Sequence, residues 1–187
     1  SEGPIISNDI FGGETYDARL EKLGWTDPDF DDSDWDDAEV KYWKPSLGPD
    51  LQIKSQLMPP IRVNKTIKPV EFNSPETGIY VYDLGQVFGG WIRLRVKGPR
   101  GKEIKIRYTG RAFGESYHIP GESETDTYIF KGDPQGEVYE PRFTYHPVRY
   151  VMIEGYPGQL SIDDLDGRAV YSAIDMSGDF ICSNPLF

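Results

Sequence analysis

The residues of this chain with chemical potential are two histidines, a dense set of carboxylates and four tryptophans. His118 lies in a Gly/Glu-rich loop, and His146 stands between Tyr145 and Pro147 at a strand junction. A histidine pair can ligate a metal or act as a general base. Without a ligand or base motif around them, the preferred assignment is one loop histidine and one corner histidine bonded to backbone. The carboxylates raise the prospect of a glycosidase acid and base, which must stand about 5–10 Å apart. Abundant surface Asp carries no such placement. The run Asp27-Pro28-Asp29-Phe30-Asp31 resembles a calcium loop, but Asp32 and Ala38 occupy the positions that need Gly and Glu. Asp31-Asp32-Ser33-Asp34-Trp35 fits better as a capped helical turn with Trp35 packed inward. No metal ligand is assigned.

A flat indole can stack on a sugar ring, which makes Trp25, Trp35, Trp43 and Trp91 candidates for a carbohydrate platform. Trp35 and Trp91 are expected to be buried anchors. Trp25, in Leu23-Gly24-Trp25-Thr26-Asp27, sits beside turn residues and is the best placed for exposure. With Asp17 and Arg19 upstream, it forms the candidate carbohydrate-binding set. The chain has no Gly-x-Ser-x-Gly elbow, phosphate loop, Gly-x-Gly-x-x-Gly or His-Glu-x-x-His. No catalytic residue and no cofactor are assigned.

The elements that must carry these residues read as strands. Ile92, Leu94 and Val96 alternate with Arg93, Arg95 and Lys97; Gly98-Pro99-Arg100-Gly101 turns the chain; Ile104, Ile106 and Tyr108 alternate with Lys105 and Arg107. Such alternation about a turn predicts a hairpin with one buried face. Similar runs occupy Ile61–Phe72, Gly78–Leu84, Thr125–Lys131, Val138–Tyr145, Val148–Glu154, Arg168–Ala173 and Gly178–Cys182. No sustained helical stripe separates them. The predicted fold is all-β, a two-sheet antiparallel β-sandwich with an irregular acidic N-terminal arm. Residues 1–49 form the arm, packed on the sandwich through its aromatic residues, and residues 50–182 form the sandwich. Ser183-Asn184-Pro185 reads as a helix start, so residues 183–187 are expected to open a helical domain of a longer parent.

Composition narrows the partners. With 37% hydrophobic and 13% aromatic residues, the chain can bury a core and is not a disordered segment. Residues 1–40 hold 13 acidic and two basic residues, so the whole net charge of -11 belongs to the arm. With no basic stripe elsewhere, nucleic acid is excluded as a partner. No apolar run of about 18 residues is present, so no helical membrane span is expected. One cysteine, Cys182, excludes an internal disulfide.

Taken in order, several motifs resemble those of bacterial α-L-rhamnosidases. They begin with Gly13-Glu14-Thr15-Tyr16-Asp17-Ala18-Arg19, Gly24-Trp25 and Phe30-Asp31-Asp32-Ser33-Asp34-Trp35. Met58-Pro59-Pro60-Ile61-Arg62-Val63, Tyr82-Asp83-Leu84-Gly85-Gln86-Val87-Phe88-Gly89-Gly90-Trp91 and Thr125-Asp126-Thr127-Tyr128 follow. Tyr139-Glu140-Pro141-Arg142-Phe143-Thr144-Tyr145-His146, Arg149-Tyr150-Val151, Gly155-Tyr156-Pro157-Gly158 and Cys182-Ser183-Asn184-Pro185-Leu186 complete the series. Val87 and Gly89 depart from the Asn and Ala frequent in that family.

The resemblance implies a concanavalin-like (jelly-roll type) sandwich with its joining arm, taken from an inverting glycoside hydrolase that removes terminal α-L-rhamnose. The family's catalytic carboxylates lie in an (α/α)₆ barrel after the Ser-Asn-Pro-Leu motif, so none transfers to this chain. The implied partners are that catalytic domain and, for a carbohydrate-binding module, a rhamnose-containing carbohydrate. The calcium-dependent rhamnose-binding module of some members has no residue-by-residue match here. The implied parent is periplasmic or secreted rather than cytoplasmic.

Overall fold

The computed structural model describes residues 3–37, 39, 54–110, 124–175, 177–178 and 180–184. Its strands are β1 (Ile5–Asp9), β2 (Gly13–Asp17), β3 (Ile61–Ile67), β4 (Glu71–Glu76) and β5 (Ile79–Val96). They continue with β6 (Glu103–Thr109), β7 (Thr125–Ile129), β8 (Glu137–Tyr139), β9 (His146–Glu154) and β10 (Leu165–Ser172). Two short 3₁₀ turns, Ala18–Leu20 and Ile162–Asp164, are the helical elements among the described residues. The protein is therefore all-β and mostly antiparallel, as the alternation predicts. Its hydrogen bonds form one continuous curled sheet in the order β1-β2-β7-β6-β9-β5-β10-β3, with β4 and β8 also paired to β5.

The curl comes from β5. Its first half pairs with β4 and β9, and its second half with the start of β9, then β10 and β8. Between the halves the register breaks: Asp83 faces Tyr150 and Phe88 faces Val148, so residues 84–87 stand opposite Arg149 alone. Such an excess on one strand bends and twists it. Asp83 holds the break together. Its carboxylate accepts from Gly85 N at 2.7 Å and from Arg149 Nε and Nη2 at 3.1 and 3.2 Å. The curl encloses one core in which Tyr82, Leu84, Ile92, Leu94, Ile104, Ile106, Tyr108, Tyr128, Phe130, Tyr139, Val151, Ile153 and Leu165 are all at most 2% exposed.

Several boundaries differ from the sequence expectation. The alternation in Ile92–Lys97 and Ile104–Tyr108 marks the buried faces correctly, but the two runs are not a hairpin. β5 pairs with β10 and β8, whereas β6 pairs with β7 and β9. Period two reports which face is buried, not which strand is the partner. The run Val138–Tyr145 supports only the short β8, since Pro141 has no N–H to continue a ladder. Residues 178 and 180–182 are exposed and outside any strand, so the described residues of the Gly178–Cys182 run form no ladder.

The N-terminal segment enters the sheet by its backbone. β2 runs parallel to β7, with Thr15, Tyr16 and Asp17 opposite Thr127, Tyr128 and Ile129. Tyr16 packs on the core beside Tyr128 and Tyr139, at ring-centre distances of 5.9 and 5.8 Å. The other aromatic residues behave differently. Phe11 is 62%, Trp25 61% and Trp35 43% exposed, so Trp35 is not a buried anchor. It lies against Phe30 and under Lys22 Nζ, 5.2 Å from the ring centre. Tyr42 and Trp43 lie outside the described residues. Basic residues of the strands pair within the sheet: Arg95 with Asp166, and Arg107 with Glu154 at 3.1 Å. Among the described residues, an ion pair joins Glu21 of the arm to Lys131 at 2.8 Å.

Two measurements test this assembly. Gly90 has φ 153° and lies so close to β10 that an added Cβ would stand 2.0 Å from the Arg168 carbonyl oxygen. Gly90→Ala should cost about 2–4 kcal/mol and lower the melting temperature by roughly 5–15 °C. Gly178→Ala, with nothing within 4 Å, should leave it unchanged. In limited digestion, a protease cutting before Asp should act first between Asp27 and Asp37, where the chain is exposed, and much later at buried Asp17 and Asp126. The released N-terminal fragment should stay bound on gel filtration, because β2 is hydrogen-bonded into the sheet.

Candidate functional site

Asp17 closes β2 and caps the turn Ala18–Leu20. Its carboxylate accepts from Arg19 N at 3.0 Å, Nε at 2.8 Å and Nη2 at 2.6 Å. The bond from Arg19 is the main reason the Asp17 pKa is lowered. Asp17 and Arg19, both carbohydrate-binding candidates from the sequence, are therefore brought together, but as partners of each other at a strand end. No described hydrogen bond or ring contact joins Trp25 to either. The Asp31–Trp35 stretch is a turn capped by Asp31, whose carboxylate accepts from Ser33 N at 3.1 Å. Among the described residues, no three His, Cys, Asp or Glu side chains converge as metal ligands. His118 lies outside the described residues.

The structure shows a cleft of about 260 Å³ that the sequence did not disclose, lined by Tyr16, Glu21, Arg93, Val138, Tyr139, Glu140 and Arg142. Both of its carboxylates are engaged. Glu140 accepts from Trp91 Nε1 at 2.9 Å and Arg168 Nε at 3.2 Å, and Glu21 accepts from Tyr16 Oη at 3.0 Å and Lys131 Nζ at 2.8 Å. Trp91 is thus half-buried and tethered by its indole nitrogen, not a core anchor. Among the described residues, Arg93 Nε reaches no hydrogen-bond partner and stands 4.0 Å from Glu140. The cleft could hold a polar ligand, but it offers no free acid and base. In the sequence, Arg93 is visible only as an outward residue of an alternating strand, and Glu140 and Arg142 only as parts of a motif.

The second unforeseen feature is a buried polar network. Glu14, Asp126 and His146 are each at most 1% exposed. Asp126 Oδ1 accepts from Glu14 N at 2.9 Å, and Oδ2 accepts from Tyr108 Oη at 2.5 Å. Glu14 accepts from Tyr139 Oη at 3.3 Å and from Arg142 N at 3.2 Å. His146 Nε2 lies 3.1 Å from Thr144 Oγ1 and 3.4 Å from Asp126 Oδ1, while its ring stacks on Tyr108 at 4.0 Å. The histidine is therefore held by side chains, not by backbone as expected from its corner position. Two carboxylates and an imidazole could serve acid–base chemistry, but no substrate reaches groups sealed this completely. The network joins β2 to β6, β7 and β9. A sequence signal existed: Asp126 stands in the same period-two register as Tyr128 and Phe130, facing the core.

Residues 73–171 match the family model of the bacterial alpha-L-rhamnosidase concanavalin-like domain, and residues 1–65 match the alpha-L-rhamnosidase N-terminal domain. An alpha-L-rhamnosidase of Streptomyces avermitilis is 36% identical over 100% of this chain and 18% of its own length. Its crystal structure, complexed with L-rhamnose, superposes with a TM-score of 0.83. The alpha-L-rhamnosidase structure from Dictyoglumus thermophilum gives a TM-score of 0.86 at 46% identity, covering 98% of this chain and 21% of that one. An alpha-L-rhamnosidase of Formosa agariphila is 34% identical over 100% of this chain and 20% of its length. The chain thus spans about a fifth of the length of these relatives.

The network carries a pH signature. Burial, reinforced by Asp126, raises the Glu14 pKa above its ordinary 4.5 despite the bond from Arg142 N. The folded state then holds a proton that the unfolded chain releases, so falling pH stabilises the fold between the raised pKa and 4.5. Glu14→Gln lacks this term. Calorimetric melting of both proteins should show the parent gaining on the variant as pH falls from 7, with the gain levelling below about 4.5. A constant or shrinking difference would contradict the buried-carboxylate account.

Proposed function

The chain belongs to the bacterial α-L-rhamnosidase family, and from that premise we propose that it is a non-catalytic β-module that supports and orients the catalytic domain of a longer α-L-rhamnosidase. The observation that carries this reading is the pairing of match and chemistry. The chain corresponds from end to end to about a fifth of each relative, while the one carboxylate–histidine cluster among the described residues is sealed in the core. The acid and base of an inverting glycosidase must face a sugar and a water from opposite sides. Here Glu14 and Asp126 face Tyr139, Tyr108 and backbone, and Glu21 and Glu140 are tied to Lys131, Tyr16, Trp91 and Arg168. Hydrolysis of terminal α-L-rhamnose by inversion then belongs to a helical (α/α)₆ barrel elsewhere in the parent.

A second reading, a carbohydrate-binding module for L-rhamnose or a plant polysaccharide, draws on the exposed indole of Trp25 and on the polar cleft. A binding module needs an aromatic platform beside converging polar groups. Asp17 and Arg19 satisfy each other, so the set Trp25, Asp17 and Arg19 lacks the second part. The supporting role is the better fit.

Incubating the purified chain with p-nitrophenyl α-L-rhamnoside should release no nitrophenol above background. Titration with L-rhamnose should leave the amide spectrum of the chain unchanged at millimolar sugar. Turnover that follows the protein through purification would refute the first reading, and saturable shifts around Trp25 or Arg93 would install the second.

A further inference from the structure

Five exposed apolar side chains are carried by three stretches that adjoin on the outside of the sheet: Ile10 (59% exposed), Phe11 (62%), Val87 (58%), Phe143 (68%) and Tyr145 (40%). The stretches are joined by contacts. The Ile10 carbonyl oxygen accepts from Tyr145 N at 2.9 Å and from Thr144 Oγ1 at 3.4 Å. The Tyr145 hydroxyl lies over Gly89, 2.2 Å from where a Cβ would stand. Val87 is two residues back on the same side of β5, since Phe88 between them turns inward against Gly167. Phe143 and Tyr145 likewise flank the buried Thr144.

We propose that this face is the surface by which the module docks onto the catalytic part of its own polypeptide, an inference that rests on the supporting role given above. Singly exposed apolar residues need no explanation, but a contiguous aromatic and aliphatic patch is the mark of an interaction surface. Its interior is ready for dehydration. The Ile10 carbonyl is satisfied, and the Asp9 carboxylate turns back to accept from Phe11 N at 3.0 Å and Gly12 N at 2.6 Å. Gln86 and Arg142, exposed neighbours of Val87 and Phe143 in sequence, supply polar groups next to the apolar ones, as an interface rim requires.

The occupant follows from where the patch comes from. Ile10 and Phe11 lie within the segment matched as the N-terminal domain, and Val87, Phe143 and Tyr145 within the concanavalin-like one. The patch exists only when both are assembled, as they are in one continuous chain. About four fifths of each relative's length lies outside the matched part, and a domain boundary inside one polypeptide is expected to bury such a surface.

Hydroxyl-radical footprinting of the isolated chain and of the full-length enzyme decides it. Phe11, Phe143 and Tyr145 should be oxidised readily in the isolated chain and several-fold less in the full-length enzyme at the same radical dose. Equal oxidation in both would overturn the docking surface. Protection that appears in the isolated chain as its concentration rises, with a dimer in sedimentation, would assign the face to a second copy and overturn it as well. The supporting role fails separately, if the full-length enzyme shows no rhamnosidase activity.

Discussion

One strand has to serve both walls of this molecule. β5, 18 residues long, carries β4, β8, β9 and β10, and the break between Asp83 and Phe88 lets β4 pair with its first half and β10 and β8 with its second, while β9 runs along both. The bidentate bond from Arg149 to Asp83 sets the geometry of that break. Burial, the largest influence on Asp83, raises its pKa, but the bonds from Arg149 and Gly85 outweigh it and the net shift is downward. The carboxylate is therefore held ionised where the strand bends. If β5 ran straight, Tyr80 to Leu84 and Ile92 to Val96 would share one flat face, and no single core would form around both.

That constraint explains which parts of the fold the sequence discloses. The inward residues of β5 keep one parity from Tyr80 through Val96, so alternation is readable along the whole strand. β9 absorbs the mismatch: His146 and Val148 are buried, then Val151 and Ile153, with Arg149 and Tyr150 between them outside the core. The run read from the sequence, Val148–Glu154, crosses that point but misses His146 and Pro147, which pair with Gly90 and Gly89. The all-β class, the core face of β6 and the close approach at Gly89-Gly90 follow from local pattern. Strand pairing does not, because a Gly-Pro turn looks the same whether it closes a hairpin or carries the chain to a different neighbour.

The N-terminal segment shows a second limit of pattern reading. Its aromatic residues suggest docking by apolar burial, yet Trp25 and Trp35 face outward, and what enters the interior is Tyr16 with two carboxylates, Glu14 and Asp17. Buried carboxylates are costly unless hydrogen-bonded. Glu14 finds its donors on β8 and the loop after it, and Asp17 finds three on Arg19 in the turn that follows. The cost becomes a selection for one register: a shift of β2 by one residue would turn Glu14 away from Tyr139 and Arg142 N and leave Asp126 without the Glu14 amide. A slip in an apolar segment would lose much less. The cleft was illegible for a related reason, since Tyr16, Glu21, Arg93 and Arg142 converge only after β2 has been placed.

Interior and exterior thus reverse the usual division of labour. The end of the core where β2 joins is polar and hydrogen-bonded, with His146 Nδ1 the one network atom left without a partner among the described residues. Directly above Thr144 and His146, the surface is apolar. Apolar side chains that stabilised the isolated fold would be turned into the core, where each would contribute about 1.5–3 kcal/mol. Phe143 and Tyr145 contribute little of this while exposed, so their placement is not explained by the stability of the isolated fold. The same loop that closes the network from inside, residues 140–145, presents those side chains outside. Order in the network therefore sets the position of the outer face. A register fixed by buried carboxylates is what allows a short, otherwise irregular loop to hold a defined surface toward whatever covers it.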